Sequence, residues 1–457
     1  MDVDTGVRLW REAIGDCDEV ALVANPSYVA SPYELYPLAR RNPGPLDAVV
    51  GIVKDMDGTT TTTEPLCLHS LEWMVRVITD RMDERAWPGF DHAADHPHII
   101  GNSTTRHVEY LLGAYGDRIR PAAFRRAFVL AVLWTLGRGR DEGRRREVRA
   151  DAAALGLRDM LDDAEFARLV RERVDPFAGN AHDAEGLAGR YAGAVALSSF
   201  ADRVRAAVDI YYVRYHTILA AIDEGRVHEL TGPLPGGRSA RMVAPMPGVA
   251  AFLALVKGWL GDQACALYDA MATHVVAKTG ANPRITPASL CAMGRWFAAH
   301  PVRVAIVTSS IAYEADVVLR EVFRALRDEA AAWPLPTDVR ERIAGGFAEH
   351  RAFYDMFVTA SDSSEIRLKP HRDLYSIALH GMGVRREDYH RVVGFEDSES
   401  GVIAIRAAGV GCCVALPFAQ SAGHDFRAAV HVLRGQFPEV VLNHSCFLSE
   451  SALAPYA

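Results

Sequence analysis

The sequence predicts an α/β fold with a Rossmann-like, doubly wound parallel sheet and a large all-helical insertion. Short β-branched apolar runs alternate with amphipathic segments around residue 50 and again after about residue 300, as strands and helices alternate in a parallel sheet. Between about residues 65 and 300 the apolar spacing is helical throughout. A chain of 457 residues is also too long for one hydrophobic core, so two domains are expected.

The predicted sheet begins with LDAVVGIVK, a buried strand over Leu46 to Lys54 that runs directly into Asp55. The next strand is VRVAIVT, which ends at Thr308. Later strands are predicted at Tyr354 to Thr359, His390 to Phe395, Val410 to Leu416 and Val440 to Leu442. The helices between them are predicted at Ala312 to Arg327, Arg372 to Leu379, Gly401 to Ala408 and Phe426 to Leu433. Such a sheet binds ligands beyond the carboxyl ends of its strands.

The predicted domains are an N-terminal extension (1–45), an α/β core (46–66 and 295–457) and an inserted helical domain (67–294). The insertion contains long amphipathic patterns such as AAFRRAFVLAVLWTL, and the sequence predicts loops at Arg138 to Arg146 and Thr231 to Arg241. The extension contains a predicted helix, VRLWREAI, and a predicted strand, EVALVA. The sequence does not disclose what these two segments do.

Composition narrows the class of protein. The net charge is −8, whereas nucleic-acid-binding proteins usually carry an excess of basic residues. No nucleic-acid partner is therefore expected. The seven cysteines are scattered without metal-ligand spacing, which favours a reducing compartment, the cytoplasm, over a disulfide framework. No apolar stretch is long enough to cross a membrane, and no membrane association is expected. The oligomeric state stays open.

Polar residues follow several predicted strands. Asp55 and Asp57 end the first strand in a DxDG pattern, which on its own is also compatible with a structural or EF-hand-like turn. Thr308, Lys369 and the pair formed by Glu396 and Asp397 lie at or just beyond later strand ends. Singly, these residues are explained as a helix cap, a solvated lysine and a helix start. Their coincidence on four strand ends of one sheet favours a shared site.

This set supplies the groups that phosphoryl transfer needs. Asp55, Asp57, Glu396 and Asp397 offer carboxylate oxygens suited to Mg²⁺, which would relieve the repulsion between Asp55 and a phosphate group. A hydroxyl at Thr308 and the ammonium of Lys369 could bind the transferring oxygens. An aspartate so neutralised is a competent phosphoryl acceptor.

Four segments, DMDGTTTTTEPL, VAIVTSS, KPHRDLY and VVGFEDSESGVIAIRAAGV, resemble in order and setting the motifs of the haloacid dehalogenase superfamily. The likeness is greatest to its phosphatase and β-phosphoglucomutase-like branch, and it covers roughly residues 46 to 66 and 295 to 435. This chain departs from the family pattern at Lys54, where an aromatic or apolar residue is usual, and in the run Thr60 to Thr63. These departures could change the surroundings of the nucleophile or the hinge to the insertion.

The resemblance implies a role for each motif residue. Asp55 would attack phosphorus, while Asp57 would protonate the leaving oxygen and then activate water. Thr308 and Lys369 would bind the phosphoryl group, and Ser309 is a further candidate for substrate contact. Asp55, the backbone carbonyl of Asp57 and Asp397 would ligate Mg²⁺, with Glu396 ligating directly or through water. An acid at position 57 implies an oxygen leaving group, which needs a proton.

The insertion resembles an enlarged version of the family's helical cap, which covers the site during chemistry. Within it, IIGNSTTRHVEYLL resembles the cap segment that faces the site, so the candidate substrate contacts are Asn102, Thr104, Thr105 and Arg106. A Ser/Thr-capped surface helix explains these residues equally well. The segment DHAADHPH is acidic and histidine-rich, but Pro97 disfavours a helical metal site there and a solvated loop is expected.

The expected activity is hydrolysis of a small-molecule phosphomonoester. The nearest alternative is a phosphomutase of the β-phosphoglucomutase type, which differs in whether a sugar hydroxyl or water accepts the phosphoryl group. A third alternative is a catalytically idle module that binds a phosphate ligand, although a binding module does not need both a nucleophile and an acid.

Overall fold

The computed structural model describes residues 19–24, 31–80, 87–91, 94–99, 104–179, 181–230, 242–363, 367–418 and 423–457, together with residues 2, 4, 5, 8, 15, 17, 85 and 421. The predicted helix VRLWREAI and the predicted loop Thr231 to Arg241 lie almost wholly outside these residues. The chain forms two compact units, a sheet unit of residues 1–62 and 243–457 and a helical unit of residues 63–242.

The described strands are β1 (Glu19–Ala24), β2 (Tyr33–Leu38), β3 (Gly51–Asp55), β4 (Arg303–Val307), β5 (Met356–Val358), β6 (Val392–Glu396), β7 (Cys412–Ala415) and β8 (His431–Val432). The helices of the helical unit are α1 (Glu64–Thr79), α2 (His96–Ile99), α3 (Thr104–Ala114), α4 (Pro121–Arg138), α5 (Glu142–Ala154), α6 (Arg158–Leu161), α7 (Ala164–Arg171), α8 (His182–Tyr191) and α9 (Phe200–Asp223). Those of the sheet unit are α10 (Val249–Val256), α11 (Tyr268–Thr279), α12 (Pro287–Ala299), α13 (Ala312–Ala331), α14 (Thr337–Gly346), α15 (His350–Phe353), α16 (Asp373–Gly381), α17 (Glu399–Ala407), α18 (Gln436–His444) and α19 (Glu450–Leu453).

Six parallel strands form the main sheet, in the order β5-β4-β3-β6-β7-β8. β3 pairs with β4 from Gly51 opposite Arg303, and with β6 from Gly51 opposite Val392. Every residue of β3 and β6 is buried, as expected of central strands covered by helices on both faces. This topology confirms the predicted doubly wound α/β fold.

Each face of the sheet packs against different helices. On one face, Val53 and Val307 pack with Leu374 of α16 and Ile405 of α17 in a continuous buried cluster. On the other face, the ring of Phe395 lies 5.4 Å from that of Phe252 in α10 and 5.3 Å from that of Phe437 in α18. Helices on both faces therefore hold the carboxyl ends of β3, β4 and β6 in fixed positions.

The N-terminal extension contains an antiparallel hairpin of β1 and β2, which confirms the predicted strand EVALVA. Side chains alternate between the faces of a strand. Val23, Tyr36 and Leu38 are buried and pack against Ala407 at the end of α17. The hairpin therefore belongs to the sheet unit.

The helical unit is shorter than the predicted insertion of residues 67–294, because residues 243–294 pack in the sheet unit. α10, with the sequence VAAFLALV, is buried at every residue, and a helix that is apolar all round packs inside a core. The chain leaves and re-enters the sheet unit at one place: Thr62 N donates to Ala244 O at 2.8 Å and Met246 N to Thr60 O at 2.9 Å.

Three predicted elements were wrong. The apolar run Val440 to Leu442 lies in α18 and not in a strand, since a short buried run fits either element. Phe426 to Leu433 is not helical and contains β8 instead. The predicted loop Arg138 to Arg146 overlaps α5, whose first turn is capped because Asp141 accepts a hydrogen bond from Arg144 N at 2.6 Å.

α4 and α9 supply much of the core of the helical unit; α4 is almost entirely buried from Ala127 to Leu136. Tyr211 and Tyr215 of α9 are buried, so these aromatic side chains pack in the core of the helical unit. Asp209 is fully buried and forms an ion pair with Arg144 of α5, whose guanidinium lies 4.4 Å from the centre of the Tyr212 ring. Burial raises the pKa of Asp209 to about 7, although Arg144 opposes that shift.

Cys265 and Cys291 form a disulfide, with their Cα atoms 5.0 Å apart. This pairing differs from the expectation drawn from the scattered cysteines. None of the described helices is both long and apolar enough to span a membrane.

Candidate active site

Three neighbouring strands bring the predicted site residues to one edge of the sheet. β3 ends at Asp55, β4 is followed by Thr308, and β6 ends at Glu396 with Asp397 next in sequence. Because the three strands are parallel and adjacent, their carboxyl ends meet. Asp55, Thr308, Glu396 and Asp397 are all buried.

Lys369 links two of these strand ends. Its ammonium pairs with Asp55 Oδ1 and donates to Glu396 Oε1 at 2.7 Å, and its side chain is 8% exposed. Burial raises the pKa of Asp55 well above its usual range; Lys369 opposes this shift, while Glu396 and Asp57 add to it. Burial alone would lower the pKa of Lys369, but the two carboxylates outweigh it and raise that pKa. The lysine therefore stays charged beside the nucleophile candidate.

The carboxylate of Glu396 is held by several donors. Its Oε2 accepts from the backbone N–H groups of Asp397 and Ser398, both at 3.0 Å, and from Ser398 Oγ at 2.9 Å. Its Oε1 accepts from Tyr375 Oη at 3.0 Å as well as from Lys369. A Cβ atom at Gly401 would lie 1.7 Å from Glu396 Oε1, so the first turn of α17 needs glycine there. Glu396 thus has a fixed orientation.

Asp57 lies in a tight turn that follows β3. Thr60 N and Thr61 N both donate to Met56 O, and Gly58, which has a positive φ of 84°, donates to Thr61 O. This turn directs the Asp57 carboxylate to β4, where its Oδ2 accepts from Thr308 Oγ1 at 3.1 Å and from Ser310 Oγ at 3.2 Å. The carboxylates of Asp55 and Asp57 therefore have different partners.

Asp55, Glu396 and Asp397 can each offer one carboxylate oxygen within 4.8 Å of the others. Octahedral Mg²⁺ needs oxygen ligands at about 2.0–2.1 Å, which places opposite ligands about 4 Å apart. The hard oxygen donors suit Mg²⁺, and the three carboxylates would have to move closer together to share one ion. The hydroxyl of Thr59, donating to Asp397 Oδ1 at 3.3 Å, orients the third carboxylate. Among the described residues, this is the only place where three or more Asp, Glu, His or Cys side chains bring their ligand atoms this close together.

The structure brings six predicted residues together: Asp55, Asp57, Thr308, Lys369, Glu396 and Asp397. Ser309, also predicted, is exposed; its neighbour Ser310 contacts Asp57 instead. Two further polar contacts of the site, Ser310 and Thr59, were not predicted from the sequence. The sequence Thr308-Ser309-Ser310 indicated the correct turn. Which of the two serines points to Asp57 depends on the backbone path after β4, which the sequence pattern does not give.

The candidate contacts in the helical unit stay predictions. Asn102 lies outside the described residues, Thr104 begins α3, and Thr105 and Arg106 are exposed on its first turn. Exposed residues at the start of a helix are compatible with both interpretations, a substrate contact and a capped surface helix.

The acidic, histidine-rich segment has a structural explanation. Asp95 is buried, and its carboxylate accepts from Tyr110 Oη at 2.9 Å, from Tyr115 Oη at 2.7 Å and from Asp91 N at 2.7 Å. These bonds fix Asp95 just before the short helix α2, so the described part of this segment is partly buried and partly helical, unlike the solvated loop expected from the sequence. His92 lies outside the described residues.

Lys54, at which the sequence departs from the motif that it resembles, is fully buried on the face of β3 opposite Val53 and Asp55. Its ammonium lies 5.9 and 5.4 Å from the centres of the Tyr354 and Phe437 rings, and it makes no hydrogen bond to the described residues. Burial lowers its pKa to about 7, with Asp55 opposing the shift. Lys54 is therefore a core residue that lies on the face of β3 opposite Asp55.

No protein-family model and no curated protein matches the sequence. Among solved structures, the chain is similar to CbbY from Rhodobacter sphaeroides in complex with phosphate, at 15% identity and a TM-score of 0.37, over 86% of this chain and 96% of that one. It is similar to β-phosphoglucomutase from Clostridium difficile at 11% identity and a TM-score of 0.35, over 89% and 98% of the two chains. It is also similar to a HAD family hydrolase from Deinococcus radiodurans with bound phosphate and sodium, at 13% identity and a TM-score of 0.35, over 88% and 99%.

The resemblance to the haloacid dehalogenase superfamily rests on the four sequence motifs and on the strand ends at which the structure places them.

Proposed function

We propose that this chain is a magnesium-dependent phosphatase of the haloacid dehalogenase superfamily that hydrolyses a small-molecule phosphomonoester through a phosphorylated Asp55. The observation that carries the proposal is the meeting of Asp55, Asp57, Lys369 and Asp397 at one edge of the sheet. A nucleophile, an acid, a cation and a set of metal ligands are the four parts that this reaction needs.

Asp55 is the nucleophile in this proposal. An oxygen of its carboxylate attacks phosphorus, and the bond from phosphorus to the ester oxygen breaks. The Lys369 ammonium, which pairs with Asp55 in the structure, offsets the negative charge that would otherwise keep a phosphate group away. Burial makes this attraction stronger than it would be in water.

Asp57 is the proton donor. It gives its proton to the ester oxygen as that oxygen leaves, and the alcohol departs neutral. A water molecule then attacks phosphorus, Asp57 takes its proton, and the bond between phosphorus and Asp55 breaks to release inorganic phosphate. The hydrogen bonds from Thr308 and Ser310 hold the Asp57 carboxylate in one orientation for both transfers.

Asp55 and Asp397 would hold Mg²⁺ directly, with the Asp57 carbonyl as a third protein ligand. The ion would supply positive charge between Asp55 and the phosphoryl oxygens. Glu396 would contribute directly or through water, but its five hydrogen-bond donors suit it better to a second task, which is to hold Lys369. Thr308 and Lys369 would contact the phosphoryl group.

The substrate is expected to be a small phosphate ester. Asn102, Thr104, Thr105 and Arg106 of the helical unit, together with Ser309, remain candidate contacts for it. A cytoplasmic location also stays a prediction, and no nucleic acid is expected as a partner.

The test is a panel of phosphate monoesters with purified protein and Mg²⁺, followed by release of inorganic phosphate. We expect turnover of at least one ester, complete loss with Asp55→Asn, and wild-type rates with Asp338→Asn, which changes an exposed aspartate on α14. Removing Mg²⁺ with a chelator should abolish turnover reversibly.

Two results would contradict the proposal. Isomerisation of a sugar phosphate that depends on a bisphosphate primer, without release of phosphate, would identify a phosphomutase. No turnover across the panel, combined with ligand affinity that Asp55→Asn leaves unchanged, would identify a binding module.

A further inference from the structure

Lys369 lies in a four-residue turn, and the orientation of this turn decides where its ammonium points. His371 N donates to Leu368 O at 3.0 Å, which closes the turn around Lys369 and Pro370. The turn leads directly into α16, which begins at Asp373. Because the Lys369 side chain is long and flexible, its contacts with Asp55 and Glu396 depend on a fixed backbone below it.

Both ends of this turn contact strand β2 of the N-terminal hairpin. At one end, His371 Nδ1 is hydrogen-bonded to Tyr36 Oη, and the two rings meet edge to face with their centres 5.4 Å apart. At the other end, the Arg367 guanidinium lies 3.8 Å from Glu34 Oε2 and 3.3 Å from Asp373 Oδ2. The hairpin therefore touches the turn on both sides of Lys369.

The direction of the hydrogen bonds follows from their chemistry. Tyr36 Oη donates to Glu34 Oε2 at 2.6 Å, because an ionised carboxylate only accepts. The same tyrosine oxygen must then accept from His371 Nδ1–H. Burial and the bond to Glu34 raise the pKa of Tyr36 to about 12, and burial lowers the pKa of His371. Nδ1–H can donate both from the neutral ring and from the protonated one, so the hydrogen bonds from His371 through Tyr36 to Glu34 do not require a charge on His371.

The hairpin is itself fixed to the sheet unit. Arg406 of α17 is fully buried and donates to Glu19 Oε2 at 2.6 Å, to Ala428 O at 2.8 Å and from its Nε to Ala39 O at 3.0 Å. In return, Ala39 N donates to Arg406 O at 2.9 Å. The helix that follows Asp397 and the turn that carries Lys369 are thereby both attached to one hairpin.

We propose that the N-terminal hairpin positions the catalytic lysine: the Tyr36 hydroxyl, acting through His371, holds the 368–371 turn so that Lys369 stays on Asp55 and Glu396. Tyr36 is a positioning residue, since it touches neither the reacting atoms nor Lys369's ammonium. This inference rests on the proposed function only in the role that it gives Lys369, and the contacts can be tested without any substrate.

The first experiment measures hydrogen exchange in the free protein. Tyr36→Phe removes the hydroxyl and keeps the ring. Exchange in the peptide covering residues 367–381 should become about fivefold faster, as expected for the loss of one hydrogen bond. Tyr33→Phe is the matched control, since Tyr33 lies on the same strand but is 55% exposed on the other face. The control should exchange like the wild type, and peptides of β4 and α13 should be unchanged in both variants.

The second experiment measures turnover of p-nitrophenyl phosphate with Mg²⁺. Tyr36→Phe should lower kcat roughly 10- to 100-fold with a smaller change in KM, because a displaced cation costs most in the transition state. His371→Asn should lower kcat similarly, and the double variant should be no slower than the slower single variant, since both changes remove the same contact.

The two experiments separate the failure of this inference from that of the proposed function. If the wild type hydrolyses no ester but Tyr36→Phe still loosens residues 367–381, the phosphatase proposal fails and the positioning contact stands. The inference is overturned if Tyr36→Phe matches Tyr33→Phe in both exchange and kcat. It is also overturned if exchange rises throughout the sheet unit, because Tyr36 would then serve general stability alone.

Discussion

Replacing Lys54 by methionine should stabilise the sheet unit by an amount that depends on pH. Lys54 is fully buried in β3 among aromatic rings, and its ammonium makes no hydrogen bond to the described residues. Folding transfers this group out of water and disfavours its charged form. Methionine keeps an unbranched chain of similar volume and removes the amine, so the core can stay packed while the cost of losing the charge disappears.

The magnitude follows from the change in pKa. A fall from 10.5 in the unfolded chain to about 7 in the fold corresponds to roughly 4–5 kcal/mol of lost stability at low pH. Because the folded pKa is the lower one, the unfolded chain binds the extra proton, and the wild type becomes more stable as pH rises from about 7 to about 10.5. The advantage of the methionine variant should therefore be constant below pH 7, roughly 2 kcal/mol near pH 9, and absent near pH 11.

Urea unfolding at several pH values, followed by tryptophan fluorescence, measures this difference. Lys278→Met, which changes an exposed lysine on α11, is the control and should show no such dependence on pH. A constant difference between Lys54→Met and the wild type from pH 6 to about pH 10.5 would refute the reasoning, since it would mean that Lys54 keeps its proton in the fold.

Three further predictions concern other buried groups. As pH rises from about 4 to about 8, the stability of Asp209→Asn should increase by roughly 2–4 kcal/mol relative to that of the wild type. The reason is that the folded pKa of Asp209, about 7, lies above its unfolded value, so the wild type loses stability as this carboxyl ionises. Urea unfolding of the helical unit at several pH values measures the difference. Gly401→Ala should lower kcat more than about tenfold by displacing the Glu396 carboxylate, whereas Gly345→Ala, where a Cβ meets open space, should leave kcat unchanged. Asp397→Asn should raise the Mg²⁺ concentration for half-maximal activity at least about tenfold, and an unchanged Mg²⁺ titration would remove Asp397 from the metal site.

The sheet and the edge that carries the candidate site were predictable because their signals are local. A buried strand that ends in Asp55 is visible in nine consecutive residues, and β4 and β6 show the same pattern before Thr308 and Glu396. The parallel arrangement then brings these ends together without further information. The motif resemblance pointed to the same residues independently.

The contacts that could not be predicted join distant parts of the chain. Tyr36 and His371 are 335 positions apart, and neither the strand pattern nor the third motif indicates that they meet. The end of the insertion also differs from the prediction, because α10 has helical spacing like the helices before it, and only its packing against Phe395 and Phe437 places it in the sheet unit. Helical periodicity identifies a helix but not the core to which it belongs.

The hydrogen-bonded crossing of Thr62 with Ala244 has a consequence for how such a protein can be assembled. A segment of 180 residues leaves the sheet unit after Thr62 and returns at Val243, and two backbone hydrogen bonds join the chain on either side of it. A link of a few glycine and serine residues from Thr62 to Val243 would span the gap, and the sheet could then be prepared with its strand ends intact. Conversely, a different helical module could be joined at Thr62 and Val243 while β3, β4 and β6, with the candidate site at their ends, are retained.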